Sequence, residues 1–390
     1  MDWVASAELR SELARLAQAG RYRARRVVEG PQGPLVCVAG RQLLNFSSND
    51  YLGLANHPEL VAALGRAAGR WGVGSGAAHL ITGHSGAHQA LEEALAAFTG
   101  QPRALLFSTG YMANLGVISA LAGRGDNVWE DRLNHASLID GALLSRARLR
   151  RYRHLDAADL AGRLGVDRAR LIATDGVFSM DGDLAPLPAL AEVADRAGVW
   201  LLVDDAHGLG VLGAHGRGSF EHWGLAPRPD RILMATLGKA LGTFGAFVAG
   251  SEELIETLIQ RSRTYVYTTA TPPALAEATR VALAIAERED WRRTHLHALI
   301  ARFRAGAAQL GLPLAASTTP IQPLIAGSAP RALALSRHLE RAGLLVAAIR
   351  PPTVPEGQAR LRITLSAAHD EAAVDRLLEA LGSWSGDEET

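Results

Sequence analysis

Two kinds of apolar segment alternate along residues 89–249. Helix-like segments at 89–98, 112–122 and 187–197 separate short aliphatic and β-branched runs at 104–107, 126–129, 170–174, 199–204, 231–236 and 246–249. Strands that are apolar throughout and spaced by helices predict a mostly parallel sheet covered on both faces, an α/β class. Ahead of this block, residues 5–19 set Leu9, Leu13 and Leu16 on one side of a helical wheel, an amphipathic entry helix. The glycines and apolar runs of 30–46 suggest a short hairpin. Beyond residue 251, a helical stretch at 273–287 and strand-like runs at 321–325 and 360–364 belong to a smaller α+β domain. The division expected is an N-terminal helix and hairpin at 1–45, a large domain at 46–280 and a small domain at 281–390.

In open parallel sheets ligands sit beyond the carboxyl ends of the strands. That is where the chemically interesting residues fall: Ser108, Gly110 and Tyr111 after one strand, His135 after the next, Asp175 and Ser179 after the third, Asp204 and His207 after the fourth, Thr236 and Lys239 after the fifth. Singly, each has an ordinary explanation as a helix cap, an ion-pair partner or a core histidine. Their shared position favours one site. The polar stretch 45–54 reads as a site loop, and the glycine-rich 72–86 as either an anion-binding loop or a tight core turn. Within it, His79, His84 and His88 lack an acidic neighbour in the stretch, and Gly83 discourages the helix that would align them, so no metal site is expected.

Two phosphate motifs fail on context. Residues 208–213 spell G-x-G-x-x-G, but Gly216 and Gly218 follow where a dinucleotide-binding helix should begin. Gly238 and Lys239 lack the first glycine and the hydroxyl of a P-loop, since Leu233 and Ala240 stand there.

Composition narrows the classes further. Forty basic residues balance forty acidic ones, so no global field recruits nucleic acid or an anionic membrane. The single cysteine, Cys37, excludes an internal disulfide and fits a reducing, cytoplasmic setting, and no apolar run is long enough to span a bilayer. Arg21, Arg23, Arg25 and Arg26 form a local basic group, either a solvated run or an anion clamp. An acid closing a buried strand, a histidine three residues on and a lysine in a glycine-rich turn match the needs of pyridoxal phosphate (PLP). That cofactor takes a lysine on its aldehyde and an aspartate on its ring nitrogen.

NFSSNDYLGL (45–54), LEEALAAF (91–98), NHASLIDG (134–141), GVFSMDGDLAPL (176–187), VDDAHGLGVLGAHGRG (203–218), TLGKALG (236–242), IQPLI (321–325) and RPPTVPEGQARLRITLSAAH (350–369) resemble the α-oxoamine synthases over about residues 20–380. RPPTVP favours the branch serving biotin biosynthesis over the glycine- or serine-using branches, which share the same core. The resemblance implies a PLP-dependent transferase of fold type I, with a mostly parallel seven-stranded sheet, acting as a homodimer with sites at the subunit interface. It implies decarboxylative condensation of L-alanine with a pimeloyl thioester, carried by coenzyme A or by acyl carrier protein. Carried over by position, Lys239 binds the cofactor covalently, Asp204 pairs with the ring nitrogen, His207 bonds the ring hydroxyl and His135 stacks on the ring. Gly110, Tyr111, Ser179 and Thr236 contact the cofactor, and Thr268 or Thr269 reaches the phosphate of the neighbouring subunit. Asn49 lines the substrate side, Arg350 takes the amino-acid carboxylate with Thr353 beside it, and Arg23, with Arg21 as rival, meets the acyl substrate. One departure from the family pattern is Asp175, a carboxylate one methylene shorter than the glutamate expected there.

Overall fold

The computed structural model describes residues 4–19, 21–164 and 169–385, which fall into two compact units. The larger unit comprises 49–179 and 183–296; the smaller comprises 1–48, 180–182 and 297–390.

Thirteen strands among the described residues are numbered in chain order. In the smaller unit lie β1 (Leu35–Val38), β2 (Arg41–Asn45), β10 (Ile321–Gly327), β11 (Leu344–Leu345), β12 (Ala347–Ile349) and β13 (Ala359–Thr364). The larger holds β3 (Arg103–Phe107), β4 (Asn127–Asp131), β5 (Arg148–Tyr152), β6 (Ala169–Asp175), β7 (Trp200–Asp204), β8 (Arg231–Thr236) and β9 (Ala246–Gly250).

The larger unit is built on one seven-stranded sheet of order β3-β9-β8-β7-β6-β4-β5. Only β9 runs against the rest, so six strands end on the same side of the sheet. Ile172, Leu202, Ile232 and Val248 are fully enclosed because helices cover both faces, and burial on both faces is why these strands read as uninterrupted apolar runs. The smaller unit carries two three-stranded sheets, β1-β2-β11 and β10-β13-β12. The hairpin expected at 30–46 is the antiparallel β1–β2 pair, and the runs at 321–325 and 360–364 are the antiparallel partners β10 and β13.

Three features differ from the pattern. Strand β5, of sequence RLRRY, has no apolar run to announce it; it closes one edge of the sheet, where arginines discourage further strand pairing. The helix Val4–Gln18 forms, yet Leu9 and Leu13 are exposed rather than packed. The helix expected at 112–122 begins at Gly110, because Thr109 accepts a hydrogen bond from the Met112 N–H and so caps it two residues earlier.

Beyond β5, His154 bridges two acids: Nδ1 lies 2.8 Å from Asp131 and Nε2 lies 2.9 Å from Asp183, with the ring edge-on to Phe178. Burial works against its charged form, but the bonds to Asp131 and Asp183 prevail and raise its pKa to about 10. A folded-state pKa above the ordinary 6.5 gives stability fully present below about pH 6.5 and lost as pH rises through about 10. His154→Ala should therefore cost about 3 kcal/mol in urea unfolding at pH 6, since it leaves two carboxylates facing each other, and less as pH approaches 10. A deficit that stays constant over that range would contradict the bridge.

Candidate active site

The ends of β3, β4, β6, β7 and β8 surround a cavity of about 210 Å³ lined by Gly110, Tyr111, His135, Ser137, Asp175, Asp204, Ala206, His207, Met234, Thr236 and Lys239. The geometry follows from the parallel sheet: each strand delivers its last residues, and the turn after them, to the same side.

Asp204 closes β7 and is 5 % exposed. Its Oδ2 accepts from Asn114 Nδ2 at 2.7 Å and its Oδ1 from the Ala206 N–H at 3.0 Å, which hold the carboxylate in one orientation. Asn114 Nδ2 also donates to Ser137 Oγ (2.8 Å), and Ser137 Oγ lies 2.8 Å from His135 Nδ1. A polar chain thus links His135 to Asp204.

Asp205, its neighbour in sequence, is wholly buried and does other work: Oδ2 accepts from the Ser219 N–H at 2.7 Å. The turns of 208–218 wrap around this carboxylate, and a Cβ at Gly208 or Gly218 would come within about 2 Å of it. Those glycines answer to Asp205, not to a nucleotide, and no helix opens at 208–213. Burial raises the Asp205 carboxyl to about 7.

Lys239 is the only lysine in the 390 residues. Its turn is fastened by Thr236, whose Oγ1 donates to the Gly245 carbonyl and accepts from the Gly238 N–H. Gly242, at φ +66°, brings the turn against the loop at Leu54 and Ala55, where a Cβ would lie 2.4 Å from the Ala55 nitrogen. Across from it, Lys239 Nζ is 2.8 Å from His207 Nε2. Asp175, at the end of β6, accepts from the His135 N–H at 2.7 Å. Burial first, then the charge of Asp204, pushes its carboxyl well above the ordinary range. Tyr111 is half exposed and its hydroxyl donates to Asp140. The helix Gly110–Leu121 opens on the cavity, and the first-turn N–H groups of a helix have no partner within it, which suits a phosphate.

Of the other expected residues, Ser179 begins the turn after β6 and Thr269 forms an isolated bridge with Ala78; neither, nor Thr268, lines the cavity. Asn49 Oδ1 accepts from the Tyr51 hydroxyl. In the smaller unit, Arg23 Nη2 donates to Thr353 Oγ1 at 3.0 Å, and the Thr353 N–H to the Arg350 carbonyl, so three expected substrate residues meet. Arg21 pairs with Glu356 and Arg26 with Glu340, so part of the basic group is engaged with acids of its own unit. Asn114, Ser137 and Tyr51 were not singled out from sequence. Asn114 had a signal, as one amide inside the apolar helix GYMANLGVISAL.

The histidines also correct the spacing argument. A single π-helical turn, His79–Gly83, brings His79, His84 and His88 together, with ring centroids 5.1–5.6 Å apart, and Glu92 lies 4.0 Å from His84. Gly83 is required there, since a Cβ would strike the Ala77 carbonyl. His88 has both nitrogens engaged, Nδ1 by the Ser85 N–H and Nε2 by the Thr271 carbonyl, so it offers no lone pair to an ion.

The profile of the family "aminotransferase class I and II" matches residues 41–381. The chain belongs to this family. Within it, an 8-amino-7-oxononanoate synthase from Methylococcus capsulatus is 65% identical over 373 residues, covering 95% of this chain and 96% of that one. Another from Pseudomonas aeruginosa is 63% identical over 383 residues, covering 97% and 95%. Among solved structures, a serine palmitoyltransferase from S. paucimobilis with bound PLP and myriocin superposes with a TM-score of 0.91 at 30% identity, covering 98% of both chains. An 8-amino-7-oxononanoate synthase from Francisella tularensis gives 0.78 at 33%, covering 87% of this chain and 97% of that one. The α-oxoamine synthase motifs thus pointed to the right branch, and the fold is the PLP-dependent one they implied.

PLP is the cofactor of these enzymes, and the residues present fit it. A buried carboxylate suits the pyridinium nitrogen, the one lysine suits the aldehyde, His207 suits the ring hydroxyl and the helix start at Gly110 suits the phosphate. No helix among the described residues is long and apolar enough to cross a membrane.

Proposed function

We propose that this enzyme condenses L-alanine with a pimeloyl thioester to give 8-amino-7-oxononanoate, carbon dioxide and the free thiol, a step of biotin biosynthesis. The observation that carries the chemistry is the meeting of the only lysine with Asp204, His207 and His135 in one cavity at the strand ends. When bound, PLP supplies an electron sink for the negative charge left at the α-carbon of the amino acid.

The chain supplies the rest. The amine of Lys239, once displaced by the substrate amine, removes the α-proton and later returns one. Asp204 keeps the ring nitrogen protonated, fixed for that task by Asn114 and the Ala206 N–H. His135, oriented by Ser137 and Asp175, is proposed to cover the ring and hydrogen-bond the β-keto acid before it loses carbon dioxide. Arg350 is proposed to fork onto the carboxylate of alanine, with Thr353 and Arg23 on the acyl side and Asn49 on the substrate side. Ser179 and Thr236 are proposed near the phosphate, with Thr268 or Thr269 reaching that of a partner subunit. The enzyme is proposed to act as a cytoplasmic homodimer, taking the acyl group from coenzyme A or acyl carrier protein.

The decisive assay pairs alanine, glycine and serine with pimeloyl, acetyl, succinyl and long-chain thioesters and follows release of thiol. Turnover is expected with alanine and the pimeloyl thioester, at least about a hundredfold above the other pairings in kcat/KM. Strong turnover confined to glycine would move the enzyme to another branch of the family.

A further inference from the structure

Tyr51 sits wholly buried in the loop 49–55, and no role follows for it from the reaction as described. Its hydroxyl lies 2.6 Å from His207 Nδ1 and donates to Asn49 Oδ1 at 3.2 Å; His207 Nε2 faces Lys239 Nζ at 2.8 Å. Giving the Tyr51 proton to the Asn49 carboxamide oxygen, which only accepts, leaves the tyrosine oxygen to accept from His207 at 2.6 Å. Nδ1 of His207 is then the protonated nitrogen, and Nε2 turns a lone pair toward the lysine. The loop that carries Tyr51 is itself pinned. The Asp50 carboxylate accepts from the Leu54 and Ala55 N–H groups, Arg292 donates to the Leu52 carbonyl, and Gly242 packs the lysine turn onto Ala55.

We propose that Tyr51 is a positioning residue that locks His207 in its Nδ1–H form, so that Nε2 accepts the proton Lys239 must shed before its amine can attack the aldehyde. The step balances: the lysine ammonium and a neutral imidazole become a neutral amine and an imidazolium, whose Nδ1–H stays on Tyr51. Without the tyrosine, the other tautomer becomes accessible and turns an N–H toward the ammonium, which it cannot relieve of a proton. The charged groups around this pair are Asp204, which lines the same cavity on the turn leading to His207, Asp175, whose carboxyl feels the charge of Lys239, and, on the elements that carry and pin Tyr51, Asp50 and Arg292. The inference rests on Lys239 being the aldehyde-binding amine.

The test mixes apoprotein with PLP in a stopped-flow instrument between pH 6 and 10 and follows the visible absorbance of covalent capture. With only one lysine, the signal has one source. In Tyr51→Phe the rate at neutral pH should fall about tenfold and the pH midpoint should rise by about one unit, with wild type and variant converging at high pH. His207→Asn, which can donate and accept but not take up a proton, should shift the midpoint in the same direction. Selective ¹⁵N-histidine spectra of the apoproteins, with the His207 signal assigned from its absence in His207→Asn, should show Nδ1 protonated in wild type and a tautomer mixture in Tyr51→Phe. A Tyr51→Phe rate lowered equally at every pH, or an unchanged tautomer, overturns the proposal and leaves Tyr51 a packing residue. An apoprotein that captures no PLP overturns the cofactor assignment of Lys239, and this inference with it.

Discussion

Lys239→Ala abolishes turnover, with kcat falling at least about 10⁴-fold, and removes the covalent cofactor. Both effects have one physical source. In the proposed function the amine is the covalent anchor, and it is also the group that moves the α-proton. The sequence makes the experiment unusually clean, since Lys239 is its only lysine. Borohydride reduction of the loaded wild-type enzyme, followed by peptide mass analysis, should place PLP on the peptide that contains Lys239. The variant should carry no adduct on any side chain, and an added alkylamine should restore part of the α-proton exchange by acting as a base from solution. Folding should be unaffected, because Lys239 is only half-buried and its turn is held by Thr236, Thr243 and Gly242. Persisting turnover in the variant would sink the assignment.

Asp204→Asn should lower kcat about 10³-fold while leaving the cofactor covalently bound. The substitution preserves volume and keeps the acceptor for the Ala206 N–H, but it turns an amide NH2 toward Asn114 Nδ2 in place of an accepting oxygen and removes the negative charge proposed to keep a pyridine nitrogen protonated. The readout that isolates this effect is exchange of the α-hydrogen of alanine in deuterated water, which needs no acyl thioester. Exchange should fall with kcat. Asp175 provides a second signature: the charge of Asp204 helps hold its proton, so in the variant Asp175 should ionise at lower pH. Exchange within a few-fold of wild type would show that Asp204 is not the electrostatic partner of the ring.

Much of the site was visible before any fold was known, and the reason is geometric. A parallel sheet buried on both faces needs apolar strands, so polar residues that follow them stand out, and the topology sends all of them to one side. His135, Asp175, Asp204, His207, Thr236 and Lys239 were readable in this way. The same logic was blind to β5, whose arginines suit an unpaired edge and carry no apolar signal. It was also blind to the histidine cluster. Spacing rules assume an α-helix or a strand, and His79–Gly83 is neither.

From its order of residues alone, this chain's α/β class, its cofactor chemistry and its family were already determined, because apolar periodicity and short motifs are local properties. What Asp205, the neighbour of Asp204, does was not. Asp204 and Asp205 differ only in the face of the strand end they occupy, and that face sends one to the cavity and the other into a nest of glycine turns. The tyrosine behind His207 was equally hidden, since Tyr51 and His207 are 156 residues apart and meet only once the loop at 49–55 has closed over the lysine turn. Long-range hydrogen bonds of this kind have no sequence period, and so they became visible only in three dimensions.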